Sequence, residues 1–162
     1  MRRRHGILSI LAIAAAAAVL APVIVPFFAP WSGINRQDRD INIKTGQTRY
    51  SRRLWFVKIS ETIEDTPLSV ALQGEVVDVA GVEPWHRTCT TSRPLVGHSP
   101  HYVFHGALHQ AHLVGMVFDK MPESSKDTKK RIARKVLTLW QTTGDDGAAN
   151  DYITGLLMEE AD

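Results

Sequence analysis

The sequence predicts an α+β fold: a single N-terminal transmembrane helix, followed by a small domain with a β-hairpin and about three to four helices. Three observations carry this expectation. Gly6 to Gly33 contains no charged residue. Thr48 to Glu61 is rich in aromatic and β-branched residues, which favour strand. Beyond Pro100, apolar residues recur at helical spacing. A chain of 162 residues holds one modest domain. It divides as an anchor over 1–30, a juxtamembrane tether over 31–46 and a small α+β domain over 47–162.

The anchor reads ILSILAIAAAAAVLAPVIVPFFA over residues 7–29. As a helix it reaches roughly 35 Å, enough for a hydrocarbon core of ~30 Å. In lipid its backbone groups must bond internally, so it is expected to be helical and embedded in a lipid bilayer. Pro22 and Pro26 are expected to kink it or end its regular part. Trp31 suits a membrane–water interface. A cleaved signal peptide is the rival reading, with Arg2 to Arg4 as its charged start and Val19-Leu20-Ala21 as a small-residue cleavage site. Pro22 would then follow the scissile bond, and the apolar run continues to Ala29. The length rule favours an uncleaved anchor. The three arginines before the span favour a cytoplasmic N-terminus and a domain outside the cytoplasm.

Charge excludes a strongly basic nucleic-acid binder. All 17 acids and 16 of the 19 basic residues follow residue 33, leaving that part with a net charge of −1. One cysteine excludes an internal disulfide framework and a four-cysteine zinc site.

The polar tether leads into a hairpin with its turn near Lys44 to Gln47 and a second strand over 48–61. Arg49, Arg52 and Arg53 form its solvated side or lie near lipid headgroups. Asp65-Thr66-Pro67 reads as a cap followed by proline at the first helical position, starting a short helix that Gly74 stops. Glu75 to Val79 is expected to be a short strand, and 83–96 an irregular loop. Ser99-Pro100 repeats the cap signal and starts a helix to about Lys120. A further helix, capped by Ser124 or Ser125, covers 126–141, with Ile132, Val136, Leu139 and Trp140 inward. After a break at Gly144 to Gly147, a last helix turns Tyr152, Ile153, Leu156 and Leu157 inward.

Six histidines lie between residues 86 and 112. On one helix, taking His101 as zero, His105, His109 and His112 fall at about 40°, 80° and 20°. Four imidazoles on one stripe can grip a zinc or copper ion. A second candidate set is His86, Cys89, His98 and His101. Against both stands ordinary packing, since neutral imidazole both donates and accepts. No acid lies between Glu83 and Asp119 to orient such ligands.

Other chemistry is poorly supported. Gly97-His98-Ser99-Pro100-His101 lacks the second glycine of a nucleophile elbow. TTGDDGAAN lacks the alternating ligands of a calcium loop. Lys126 to Lys135 form a basic helix face. No nucleophile, base and orienting group assemble. The expected function is therefore a non-catalytic, membrane-anchored accessory or protein-interaction subunit with a membrane protein partner, binding no nucleic acid and with no substrate specified. The alternatives are a histidine-based metal-binding domain or metalloenzyme at the membrane surface, and a histidine pH sensor.

Overall fold

The structure is a computed structural model. It describes residues 2–120, 126–144 and 147–159, with the backbone alone for 2–8 and 107–112. The fold is α+β, and among the described residues it consists of a five-stranded antiparallel sheet and five α-helices. Helix α1 (Arg2–Phe28) leads through a 3-10 turn at Pro30–Ser32 into β1 (Asn35–Asn42). Then follow β2 (Thr48–Leu54), β3 (Val57–Glu64), α2 (Pro67–Leu72), β4 (Trp85–Arg93), β5 (His101–Phe104), α3 (Ala107–Lys120), α4 (Lys126–Thr143) and α5 (Gly147–Glu159). The strand order is β3-β2-β1-β4-β5.

Within α1, Ser9–Phe28 has a mean hydropathy of 2.5 and is long and apolar enough to cross a membrane, a property that N-terminal signal sequences share. The helix runs on through Pro22 and Pro26 to Phe28 instead of ending at them. Its last carbonyls find partners outside the regular ladder. Ser32 Oγ donates to Pro26 O at 2.9 Å, and the Val96 amide donates to Phe27 O at 3.0 Å.

Several expectations are corrected at the sheet. The tether of 31–46 holds β1, the central strand, paired with β2 on one side and β4 on the other. Its last residues, around Ile41, are the first strand of the expected hairpin; the rest of NRQDRDIN hides the strand because its buried residues include Asp38 and Asp40. The second hairpin strand over 48–61 is two strands, β2 and β3, joined by a two-residue turn at Trp55 and Phe56. The loop of 83–96 holds β4, whose Thr88, Thr90 and Thr91 are β-branched and whose flanking prolines, Pro84 and Pro94, lie just outside it. Glu75 to Val79 forms no strand; it is held by the Val77 amide on Lys44 O and by Gln141.

Ser99-Pro100 caps no helix. Residues 101–104 are edge strand β5, with Tyr102 and Phe104 stacked at 6.0 Å between centroids, and α3 starts only after Gly106.

The expected turn near Lys44 to Gln47 is present. Gly46 sits there at φ +73, and a Cβ would meet Leu68 Cγ at 2.7 Å and Ser69 N at 2.9 Å. Only glycine lets the turn pass so close to α2. The α2 start is also as expected, with Thr66 as its cap. Thr66 Oγ1 accepts from the Ser69 amide, and the Ser69 hydroxyl accepts from the Thr66 amide. The core joins Ile41 and Ile43 to Leu68 and Leu72 of α2, Val114 and Val117 of α3, the Ile132, Val136, Leu137 and Trp140 stripe of α4, and Ile153 of α5. Leu139, Tyr152, Leu156 and Leu157 pack on it half-buried. The proposed caps Ser124 and Ser125 lie outside the described residues.

Candidate functional site

The sheet has two different faces, set by the period-2 alternation of side chains. Ile41 on one face meets the helices. The other carries Arg36, Asp38 and Asp40 of β1, and there the chain buries charge. Asp38 is fully buried; it accepts from Arg36 Nη2 at 2.7 Å and from Thr90 Oγ1 at 2.9 Å, with Arg87 Nη2 at 3.4 Å. Asp40 accepts from Arg49 Nη2 and Arg87 Nε, each at 2.9 Å. The Arg49 guanidinium also lies 4.2 Å from the Trp85 ring centroid, within cation–π range. Three half-buried guanidiniums thus cover two carboxylates. Each carboxylate pairs with two arginines, Asp38 with Arg36 and Arg87 and Asp40 with Arg49 and Arg87, which ties β1 to β2 and β4.

A β-bulge makes the cluster fit. The β1–β4 register shifts between Arg39 and Asp40, so that Arg87 stands opposite Asp40 while Cys89 stands opposite Arg39. The residue left over, Thr88, bonds to Arg39 O through its hydroxyl, and its carbonyl accepts from the His105 amide at 2.8 Å.

The histidine stripe does not form as a helical face. His101 lies on β5 and His105 just after it, because Tyr102, Val103 and Phe104 favour strand and Gly106 separates them from α3. His109 and His112 lie on α3, but their side chains are outside the described residues. The second set is also divided. Cys89 pairs with Arg39 on the face of Ile41, whereas His101 pairs with Ser92, which stands opposite Arg36 on the face of Asp38. His86 Nε2 lies 3.1 Å from Glu83 O, and Cys89 is buried. Among the described residues, no group of three or more His, Cys, Asp or Glu side chains is placed to hold a metal ion.

Among the described residues, two concave regions are polar or basic at their edges. A polar groove of about 340 Å³ on the helix-facing side of the sheet is lined by Gln37, Tyr50, Arg52, Thr62, Thr91 and Arg93. A cleft of about 690 Å³ between α3, α4 and α5 has an apolar floor at Val117, Ile132 and Leu156, with Lys120, Arg131 and Lys135 at its rim. The basic face of α4 is partly paired: Lys130 and Arg134 both bind Glu75.

The end of the sheet nearest α1 exposes a group of apolar side chains, Leu54, Trp55, Phe56, Val57, Leu95 and Val96. The Trp55 amide donates to Ile34 O, and the Val96 amide to Phe27 O. These bonds hold two loop tips, Leu54 to Val57 and Leu95-Val96, beside the residues where the chain leaves α1. Their side chains are exposed, Phe56 to 87%. The hydrophobicity of 54–57 was visible in the sequence, but it read as the middle of one strand. Trp55 and Phe56 are not turn formers, so the sequence carries no local signal for this turn.

Comparison with known proteins found no matching family model, no matching curated protein and no matching solved structure.

Proposed function

We propose that the protein is a membrane-anchored, non-catalytic accessory or interaction subunit. The observation that carries this is α1: Ser9 to Phe28 is apolar, and none of it is buried by the rest of the chain. Such a surface is stable only against lipid or an apolar partner. The chain then enters the central strand of the sheet after the turn at Pro30–Ser32, which suits a domain fixed close to its anchor. The Asp38–Asp40 cluster, paired with Arg36, Arg49 and Arg87, supports a structural role for these buried charges. Arg2 to Arg4 ahead of the span support the reading in which the N-terminus is cytoplasmic and the domain lies across the membrane from it.

The test begins with the intact mass of the chain isolated from membranes after an alkaline wash. A full-length, wash-resistant chain is expected; a shortened, released chain overturns the anchor. Purification in mild detergent is then expected to retain one integral membrane protein at fixed stoichiometry. A chain that is monomeric and alone under those conditions overturns the accessory role. A reporter fused after Asp162 and active only in the cytoplasm is expected to be silent.

A further inference from the structure

We infer that the α1-proximal end of the sheet is a second lipid-binding surface: Trp55, Phe56, Leu95 and Val96 enter the membrane–water interface of the bilayer that α1 crosses, and Arg52, Arg53 and Arg93 face its anionic headgroups. This rests on the anchor reading proposed above.

Four independent observations meet at this surface. The first is position. The bonds from the Trp55 amide to Ile34 O and from the Val96 amide to Phe27 O fix both tips at the base of α1. Where the helix leaves the hydrocarbon, the tips are level with it. The second is exposure. Trp55, Phe56, Val57 and Val96 are each more than half exposed, as is Trp31 in the adjoining turn. Aromatic rings at this depth present an apolar body to the acyl boundary and an edge to the headgroups.

The third is charge. Residues 33–37, 51–60 and 91–101, which form this end of the sheet and its loops, contain Arg36, Arg52, Arg53, Lys58 and Arg93 and no acid. Arg36 is taken by Asp38, and Lys58 by Glu61. Arg52, Arg53 and Arg93 have no carboxylate partner among the described residues. The opposite end carries Glu64, Asp65, Glu75, Asp78 and Glu83. Cations grouped beside an apolar tip can pair with the headgroup phosphates that either leaflet presents, and more strongly where anionic lipid is added. The fourth is backbone conformation. Trp55 is held at φ 56, a left-handed region that favours glycine or asparagine in a two-residue hairpin turn. Asn-Gly would meet the backbone requirement of this turn, whereas Trp55 leaves 52% of its surface open to whatever the hairpin tip meets.

The test uses the full chain reconstituted into phosphatidylcholine vesicles with and without phosphatidylglycerol. In a Cys89→Ser background, nitroxide labels are placed at Phe56→Cys, at Val96→Cys and, as a distant control, at Glu83→Cys. Collision with oxygen, which concentrates in lipid, is compared with collision with a water-soluble nickel chelate. The labels at 56 and 96 are expected to show an oxygen-to-chelate ratio several-fold above that at 83. Arg52→Gln with Arg53→Gln is expected to remove the further rise that phosphatidylglycerol produces. All three sites are exposed, and an unchanged unfolding midpoint confirms that the labelled chains fold. An intact, wash-resistant chain whose tip labels are as open to chelate as the control overturns this inference and leaves the anchor standing. Labels at 56 and 96 shielded from both reagents overturn it in favour of protein–protein contact. A chain that is shortened and lost from the vesicles overturns the anchor reading itself.

Discussion

Arg87 Nε lies 2.9 Å from Asp40 Oδ1, across the one point where the β1–β4 ladder changes register. The bulge and the ion pair therefore depend on each other. Without the leftover residue Thr88, Arg87 would fall out of step with Asp40 on the adjacent strand.

Replacing Asp40 tests this dependence. Asp40→Asn keeps the shape but gives up charge-assisted bonds from Arg49 and Arg87, and is expected to cost about 2 kcal/mol. Asp38→Ala, which leaves Arg36, Arg87 and Thr90 without their common acceptor, is expected to cost about 3 kcal/mol. Urea unfolding of the detergent-solubilised chain reads both. Because the carboxylates are buried, the losses should persist at high salt, unlike those of a surface pair.

Gly46→Ala is expected to destabilise by about 2–4 kcal/mol. The residue would be forced into a left-handed conformation, which costs about 1–2 kcal/mol, and its Cβ would press on Leu68 and on the backbone of Ser69. Gly74→Ala is the control. It shares the positive φ but meets no atom within 4 Å, so only the conformational part should appear in its unfolding midpoint.

Trp55→Gly should act in the opposite direction on stability. Relief of the left-handed tryptophan is expected to raise stability by about 1 kcal/mol, readable as a higher thermal midpoint in detergent. The same substitution removes the largest ring at the hairpin tip. Higher stability together with a shallower position in vesicles would separate what the fold needs from what the surface does.

Gln141 joins three parts of the chain from α4. Its Nε2 donates to Ile43 O and to Val77 O, at 3.3 and 2.7 Å. Gln141→Leu leaves both carbonyls without this donor and is expected to cost about 2 kcal/mol. Amide hydrogen exchange should locate the change, with protection at Val77 falling before that of β1. Leu137→Ala, one turn away and fully buried, is expected to cost about 2–5 kcal/mol through a cavity, without that local signature.

These residues also show which parts of the molecule sequence patterns reveal. Helix α1, the turn at Gly46, the Thr66-Pro67 start of α2 and the apolar stripe of α4 each follow from a rule about adjacent or periodic residues. Strand β1 follows no such rule. Its Asp38 and Asp40 are buried, and although Arg36 lies beside Asp38 in sequence, nothing local indicates that arginines 9 and 47 residues beyond Asp40 will cover Asp40. Strand β4 was masked by its flanking prolines. At β5, the cap-like Ser99-Pro100 points to a helix, whereas Tyr102, Val103 and Phe104 form strand and part His101 and His105 from α3. The loop tips at Trp55 and Val96 gain their significance only from where they sit beside α1, a relation between distant segments that spacing along the chain does not carry.

The connection between α1 and the sheet has a mechanical consequence. Six residues separate Phe28 from Asn35, and three of them are wound into the turn at Pro30–Ser32. Little slack exists to absorb a pull. Tension along β1 from its N-terminal end would load the β2 and β4 ladders lengthwise, so that their hydrogen bonds resist together in shear instead of unzipping one at a time. A domain joined through its middle strand transmits force to the helix layer before it yields, whereas one joined through an edge strand would peel.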